Sequence, residues 1–528
     1  MMRNAAHAWL AALVVVTAFS SSAGDAATSC ESLVSARLPD LTITSARTIA
    51  PGKYVLPPEP PREAHMDVQP MASFDYASLP RFCQVTAEIR TSSTSKDQVE
   101  VWMPTDTWNG KMLVHTFRYF GGLMEPPMLA DPVKRGYATV TTDLGSGRNQ
   151  SAKYMFGNPE LVKDWAYRGW HEATVKAKAI MNAFYGNGPR LSYIDSCGGA
   201  VRPAMKEMQM FPEDYDAVAT SFHTSGASRL GFGEARAMLF AGDQAGNLGD
   251  KVTMLHRAVV EKCDDLDGLK DGTISDPEGC LKKFDPASLQ CRNGDGPDCL
   301  TGPQVARVRA WYDVVRNPRT NEPISGRRYP GSELTFNGGQ RISAYSVDFF
   351  RYLVFKDLSW DPMKRPINFD SDVAMADASD GALGNAIDPN IGAFLKRGGK
   401  LLLFAGWYDA VYATTSNIDY YKAVTDKAGN QARDSVRLFM VPDQGTCPDG
   451  RVDFVNQPQP GAKVRTIDTT GALEMWREKN SVPNKLLVHE VQNAAVRDRL
   501  LCPYPQVGVY KGTGNISDPS NFVCKRPD

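Results

Sequence analysis

The stretch from Leu191 to Met210 constrains this chain more than any other. A strand-like Leu191-Ser-Tyr-Ile194 runs through Asp195-Ser-Cys-Gly-Gly-Ala-Val-Arg202 into a helix-like Pro203-Ala-Met-Lys-Glu-Met-Gln-Met210. A buried strand that turns sharply into a helix belongs to a sheet of parallel strands, because each crossover helix carries the chain back to start the next strand. The flanks repeat the pattern. Val85–Arg90 and Gln98–Met103 alternate like strands, Lys111–His115 and Tyr137–Thr142 are short strand-like runs, and Trp170–Tyr185 has helical apolar spacing. Lys400–Trp407 and Val436–Val441 bring the pattern back late in the chain. The order predicts an α/β protein with a mostly parallel sheet, and functional loops at the carboxyl ends of its strands.

With 528 residues the chain exceeds one ordinary domain. Lys and Arg number 59 against 60 Asp and Glu, a formal net charge of -1. That balance carries no electrostatic footprint for nucleic acid or an anionic membrane. Near the N-terminus, Arg3 precedes an apolar run from Ala8 to Phe19 and small residues from Ser20 to Ala27. This is the layout of a secretory signal peptide over residues 1–26, too short for a membrane span. The expected product is exported and soluble; oligomeric state is not readable. A Pro-rich arm spans 51–70. Between 229 and 390 the alternation lapses into Gly, Pro, four cysteines and an acidic cluster. That segment reads as a lid inserted into a domain made of 27–228 and 391–528.

Ten cysteines in an exported chain imply disulfides. Spacing leaves connectivity open, but favours the local pairs Cys263/Cys280, Cys291/Cys299 and Cys502/Cys524, with Cys30/Cys83 pinning the N-terminal arm. Asn149 and Asn515 lie in glycosylation sequons. Within Cys263-Asp-Asp-Leu-Asp-Gly-Leu-Lys-Asp-Gly-Thr-Ile274, carboxylates at Asp264, Asp267 and Asp271 with intervening glycines suit a hard, oxygen-seeking cation such as calcium. The spacing is not that of an EF-hand.

Cys197-Gly-Gly-Ala-Val-Arg202 followed by Phe211-Pro-Glu-Asp-Tyr-Asp216 resembles the tannase/feruloyl esterase family, an α/β-hydrolase type of fold. The resemblance extends over most of the chain, through His171-Glu-Ala-Thr-Val-Lys-Ala-Lys178, the acidic loop and Phe404-Ala-Gly-Trp-Tyr-Asp409. In that family the turn after the strand is a nucleophile elbow reading Gly-Cys-Ser-x-Gly-Gly-Arg. Aligned on Cys197 and Arg202, the serine position is Gly198. The family's Pro-Gly-Met-x-His-Cys corresponds to Pro442-Asp-Gln-Gly-Thr-Cys447, so Thr446 stands at the histidine. Asp409 falls at the triad aspartate. The resemblance also implies a Cys197–Cys447 disulfide, calcium at the acidic loop with carbonyls of Leu269 and Thr273 completing the shell, and an aromatic-sized pocket under a lid.

A serine hydrolase needs nucleophile, base and orienting acid. Here only the acid remains. Phe117, Arg118 and Tyr119 are bulky where the family has small residues beside the developing oxyanion. The expectation is therefore non-hydrolytic acid–base chemistry, a cyclisation, isomerisation or elimination, on an aromatic or polyketide-like small molecule. Asp409 is the favoured proton-transfer group, with Arg118, His115, His223 and Tyr408 as weaker candidates. Two alternatives stand beside it: a pseudoenzyme that binds a phenolic ligand, and a residual carboxylic ester hydrolase. Ser196 is expected to point away from the elbow, and His171 to be structural.

Overall fold

The computed structural model describes residues 29–57, 74–117, 120–122, 124–221, 226–242, 246–335, 343–409, 413–445, 464–492 and 495–527. Its centre is a five-stranded sheet of β4 (Lys111–Phe117), β6 (Leu191–Cys197), β7 (Ala217–Ser221), β10 (Lys400–Gly406) and β11 (Val436–Val441). The order is β11-β10-β7-β6-β4 and every pairing is parallel. Four more strands form an antiparallel sheet in the order β1-β2-β3-β5: Leu41–Ile49, Phe82–Ile89, Asp97–Pro104 and Thr139–Thr142. A bridge between Met112 and Ala138 joins the two sheets just before β5.

Both faces of the parallel sheet are covered, which is why its strands read as continuous apolar runs. On β10, Leu401 and Leu403 pack into one core with Met112, Val114, Ile194 and Val218. Leu402 and Phe404 point the other way and meet Leu113, Tyr193, Ala217 and Ala219. Helices α1 (Pro126–Lys134), α3 (Gly169–Tyr185) and α4 (Val201–Met210) pack around the first strands, while the short α2 (Pro159–Lys163) places Val162 in a separate core with Phe349 and Phe350. Residues Ala173, Ala177 and Ile180 of α3 and Ala204, Met205 and Met208 of α4 close the first core.

Between β7 and β10 no described strand joins the central sheet. Helices α5 (Ala227–Gly242), α6 (Lys251–Cys263), α7 (Pro277–Lys283), α8 (Gly302–Trp311), α9 (Ala344–Asp348), α10 (Ser371–Ala378) and α11 (Gly392–Lys396) occupy this region. So does a small hairpin, β8 (Val315–Arg316) with β9 (Pro323–Ser325). Part of the region has its own core of Leu255, Val259, Ile274, Leu300, Val308 and Trp311. Helices α12 (Thr415–Ala428), α13 (Asn430–Arg433) and α14 (Thr469–Lys479) return to the sheet, where Leu473 and Trp476 of α14 seal the second core. The chain ends in β12 (Val464–Thr466), β13 (Leu486–Gln492) and β14 (Ala495–Leu501), followed by the pair β15 (Val507–Tyr510) and β16 (Phe522–Lys525).

Disulfides form between Cys30 and Cys83, Cys263 and Cys280, Cys291 and Cys299, and Cys502 and Cys524, matching the local pairs expected from spacing. Cys197 is also disulfide-bonded. Its expected partner Cys447 lies outside the described residues, as does the signal segment 1–26. No described helix is long and apolar enough to cross a membrane.

Candidate active site

The turn between β6 and α4 has the strand–turn–helix form expected of an elbow. Gly198 sits at φ +65°, the left-handed conformation that glycine adopts at little cost. A one-turn helix, Gly198–Ala200, then leads into α4. Neighbouring side chains do not replace a nucleophile. Ser196 is fully buried, and its hydroxyl donates to the Ala219 carbonyl at 3.3 Å, into the sheet. The Cys197 sulfur is committed to a disulfide.

Arg202 shows what holds the start of α4. Its guanidinium lies 4.3 Å from the Trp165 ring centroid and donates to the carbonyls of Trp165 and Ala166, so a fully buried cation is met by backbone dipoles and a π face. Burial lowers its pKa to about 10. Just past β4, Phe120 stacks on Tyr345 of α9 with ring centroids 4.2 Å apart, bringing the helices between β7 and β10 against the residues that follow β4. Phe117 pairs with Cys197 at the end of β4.

Asp409 follows β10 and is 1 % exposed. The fully buried Arg328 shares its electrostatic environment with both Asp409 and Glu234, and stacks on Trp311 at 4.4 Å. Burial lowers the Arg328 pKa, while the two carboxylates oppose that shift. Glu234, on α5, is itself raised, by burial. Neither Arg328 nor Glu234 carried a sequence signal. Arg328 sits in an unpatterned Gly-Arg-Arg-Tyr, and only the chain path places it beside Asp409.

The remaining expected site residues separate. His115 lies inside β4 rather than in the loop after it, and its Nε2 pairs with Asp131 of α1 at 3.0 Å. The side chain is thus turned onto Asp131 of α1. Tyr408 interacts with Asp443 and the Ile274 backbone rather than with the elbow, and burial raises its pKa. Its ring passes so close to Gly331, at φ +107°, that a Cβ there would lie 2.3 Å from it. Arg118, His223 and Thr446 lie outside the described residues. Asn515 is exposed and Asn149 partly buried. Each accepts the backbone N–H two residues on, from Ser517 at 2.9 Å and Ser151 at 2.8 Å.

The acidic loop is organised around Asp264, whose carboxylate accepts N–H groups of Asp271, Gly272 and Thr273 at 3.0–3.3 Å. Asp267 accepts from Leu269 at 3.0 Å through one oxygen, its carboxylate also interacts with the Ser275 side chain, and its other oxygen is buried with no geometric hydrogen bond among the described residues. Burial raises its pKa to about 6. These are features a hard cation would satisfy. Asp271, however, is paired with Arg497 at 2.7 Å and Arg499 at 2.8 Å, which lower its pKa. Asp264, Asp267 and Asp271 are accordingly not drawn into one tight group. Among the described residues, the His/Cys/Asp/Glu group whose ligand atoms all lie within 4.8 Å is His171, Glu207 and Asp214.

That second group is built by α3, α4 and the loop after α4. His171 Nδ1 meets Asp214 at 2.6 Å and its ring stacks on Phe211 at 3.6 Å. Glu207 is fully buried, and desolvation together with Asp214 raises its pKa well above 4.5. Lys178 donates to the Asp214 carbonyl. The group lies along the helices and toward the amino end of β7, away from the carboxyl ends of the parallel strands, consistent with a structural His171.

A family model for tannase and feruloyl esterase matches residues 83–525. The chain belongs to this family. It is 29 % identical over 544 residues to an uncharacterised esterase of Xanthomonas campestris pv. campestris, covering 94 % of this chain and 91 % of that protein. It is 28 % identical over 504 residues to feruloyl esterase B of Aspergillus niger, covering 92 % and 93 %. The crystal structure of feruloyl esterase B from Aspergillus oryzae superposes with a TM-score of 0.80 at 26 % identity, covering 94 % of this chain and 99 % of that one. The α/β-hydrolase type of fold follows from that match.

Proposed function

We propose that this tannase-family chain is a slow carboxylic ester hydrolase acting on esters of aromatic acids, without a side-chain nucleophile at its elbow. The observation that carries the reading is Gly198. Its backbone follows an elbow at φ +65°, in a family whose relatives are named esterases, yet it presents no hydroxyl or thiol. With Ser196 bonded into the sheet and Cys197 in a disulfide, attack falls to water. Water adds to the ester carbonyl, passes a proton to a base, and the alcohol leaves with a proton as the acid is released. Asp409 is the base, with the buried Arg328 in its electrostatic environment. With no acyl-enzyme, the acceleration is of the size left when triad members are removed, about 10³–10⁴ over water.

The esterase relatives favour hydrolysis over the cyclisation, isomerisation or elimination that the residues alone suggest. Such non-hydrolytic chemistry is the second reading, supported by the burial of Asp409 beside the Arg328 charge. The decisive assay compares the wild type with Asp409→Asn on methyl ferulate and on a panel of aromatic metabolites. Slow release of ferulate that disappears in Asp409→Asn is expected. Conversion of a metabolite with no acid release selects the second reading, and binding without any conversion retires both in favour of a ligand-binding pseudoenzyme.

The same proposal takes the region 229–390 as a lid on a domain of residues 27–228 and 391–528, in an exported chain open to glycosylation at Asn149 and Asn515. Calcium at Asp264, Asp267 and Asp271, with the Leu269 and Thr273 carbonyls, belongs to it as a structural ion. The buried oxygen of Asp267 supports that ion, while the two arginines on Asp271 compete with it. Calcium added to chelator-treated protein at a hundred times its Kd should stabilise the fold by about 2.7 kcal/mol. An unchanged melting temperature would mean that the arginines do the ion's work.

A further inference from the structure

The strap Gly326–Tyr329 has two faces. Arg328 turns inward to Asp409 and Glu234, whereas Arg327, next to it, lines an open groove of about 540 Å³ on the outer side. The groove lies between α5, the β8–β9 hairpin and the first turn of α12, and none of Gly198, Arg328 or Asp409 lines it.

Three guanidinium groups, from Arg229, Arg316 and Arg327, line this groove against one carboxylate, Asp419. A second carboxylate, Asp377, pairs with Arg229 Nη2 at 2.7 Å. Three positive charges against two negative leave one positive charge. The first turn of α12 adds Thr415 and Ser416 to the wall and contains no acidic residue, so the positive end of the helix dipole is not offset there. The Arg327 N–H donates to Thr415 Oγ1 at 2.8 Å, which fixes the strap against that turn. The rest of the wall includes apolar Ile324, Ile387 and Ala423.

We infer that this groove is a second binding site, separate from the elbow, for a small monocarboxylate with an apolar body the size of an aromatic ring. The carboxylate is held by Arg229, Arg327 and the α12 N-terminus, and the ring lies on the apolar wall. Arginine is suited to the first task because its planar fork meets a carboxylate with two parallel hydrogen bonds. A volume of this order lies within the range of small-molecule sites. The inference does not depend on the reaction proposed at the elbow.

Calorimetric titration of the full chain with 4-hydroxybenzoate, with its neutral amide and with glucuronate tests the assignment. Binding of 4-hydroxybenzoate that weakens with added salt is expected, with the amide and glucuronate each at least about tenfold weaker. Arg229→Gln/Arg327→Gln should weaken the benzoate by about tenfold or more, and Arg327→Lys by less, because it keeps the charge but loses the fork. Asp409→Asn should leave this binding unchanged. Loss of binding in Asp409→Asn but not in the double variant would assign the ligand to the central site and overturn the inference. So would equal binding of the amide or glucuronate, or no binding at millimolar concentration. Melting temperatures of the variants within a few degrees of wild type separate lost binding from lost folding.

Discussion

Helix α4 meets two different arrangements at its two ends. At its start, the turn through Gly198 has an elbow's backbone and no reactive side chain. Towards its end, Glu207 closes on His171 and Asp214, a histidine with two carboxylates in close contact. A search for catalytic side chains alone would choose the second. Position in the sheet favours the first, since β6 delivers its loop to the carboxyl ends of the parallel strands, where ligands of open α/β sheets bind. His171 and Glu207 sit along helices, where the same groups tie α3 to α4. Chemistry-bearing residues mark a site only where the topology leaves room for a substrate.

The comparison is sharpened most by restoring what the first end lacks. Gly198→Ser/Thr446→His should raise kcat/KM on methyl ferulate by about 10³ or more, the scale on which a serine triad acts. A double variant that folds but gains nothing would break the assignment of the elbow. At the other end, Asp214→Ala leaves His171 and Glu207 without their partner, and should cost about 3 kcal/mol in urea unfolding with little change in turnover. If ester turnover collapses while stability holds, the roles of the two ends are reversed.

A smaller effect concerns pH. Glu207 holds its proton more tightly in the folded chain than unfolded, its folded pKa being raised well above 4.5 by burial and by Asp214. Its contribution to stability is therefore complete below the unfolded pKa and is lost as pH rises through the folded one. Glu207→Gln should flatten the decline of the unfolding free energy with rising pH above 4.5, removing a slope of roughly 1.4 kcal/mol per pH unit, read by urea unfolding across pH. The smallest effect is expected from Phe211→Leu, which removes the ring stacked on His171 and should cost about 1 kcal/mol, measured by urea unfolding.

Much of the scaffold is legible in the sequence because burial leaves a period. Strands expected over 85–90, 98–103 and 111–115 appear as β2, β3 and β4, and the helix expected over 170–185 is α3 within one residue. β1 escapes for a specific reason. A bulge between Ile43 and Ser45 shifts its register, so that Ile43 and Ala46 face the core instead of alternate residues, and the period-2 signal disappears. The site is legible only where a motif names it. Gly198 and Asp409 stand out against a family pattern, whereas Arg328 reaches Asp409 and Glu234 from a strap far off in sequence. His115 shows the converse. Its number places it near the elbow, but the pleat of β4 turns it onto Asp131 of α1.

The bond between Cys30 and Cys83 spans 53 residues and ties the segment ahead of β1 to β2. A protease that cuts the chain once anywhere between those two cysteines produces two polypeptides that remain one molecule. The nicked form would run as intact protein on a non-reducing gel and separate only after reduction. Any preparation of this protein judged whole should therefore be judged in the presence of a thiol.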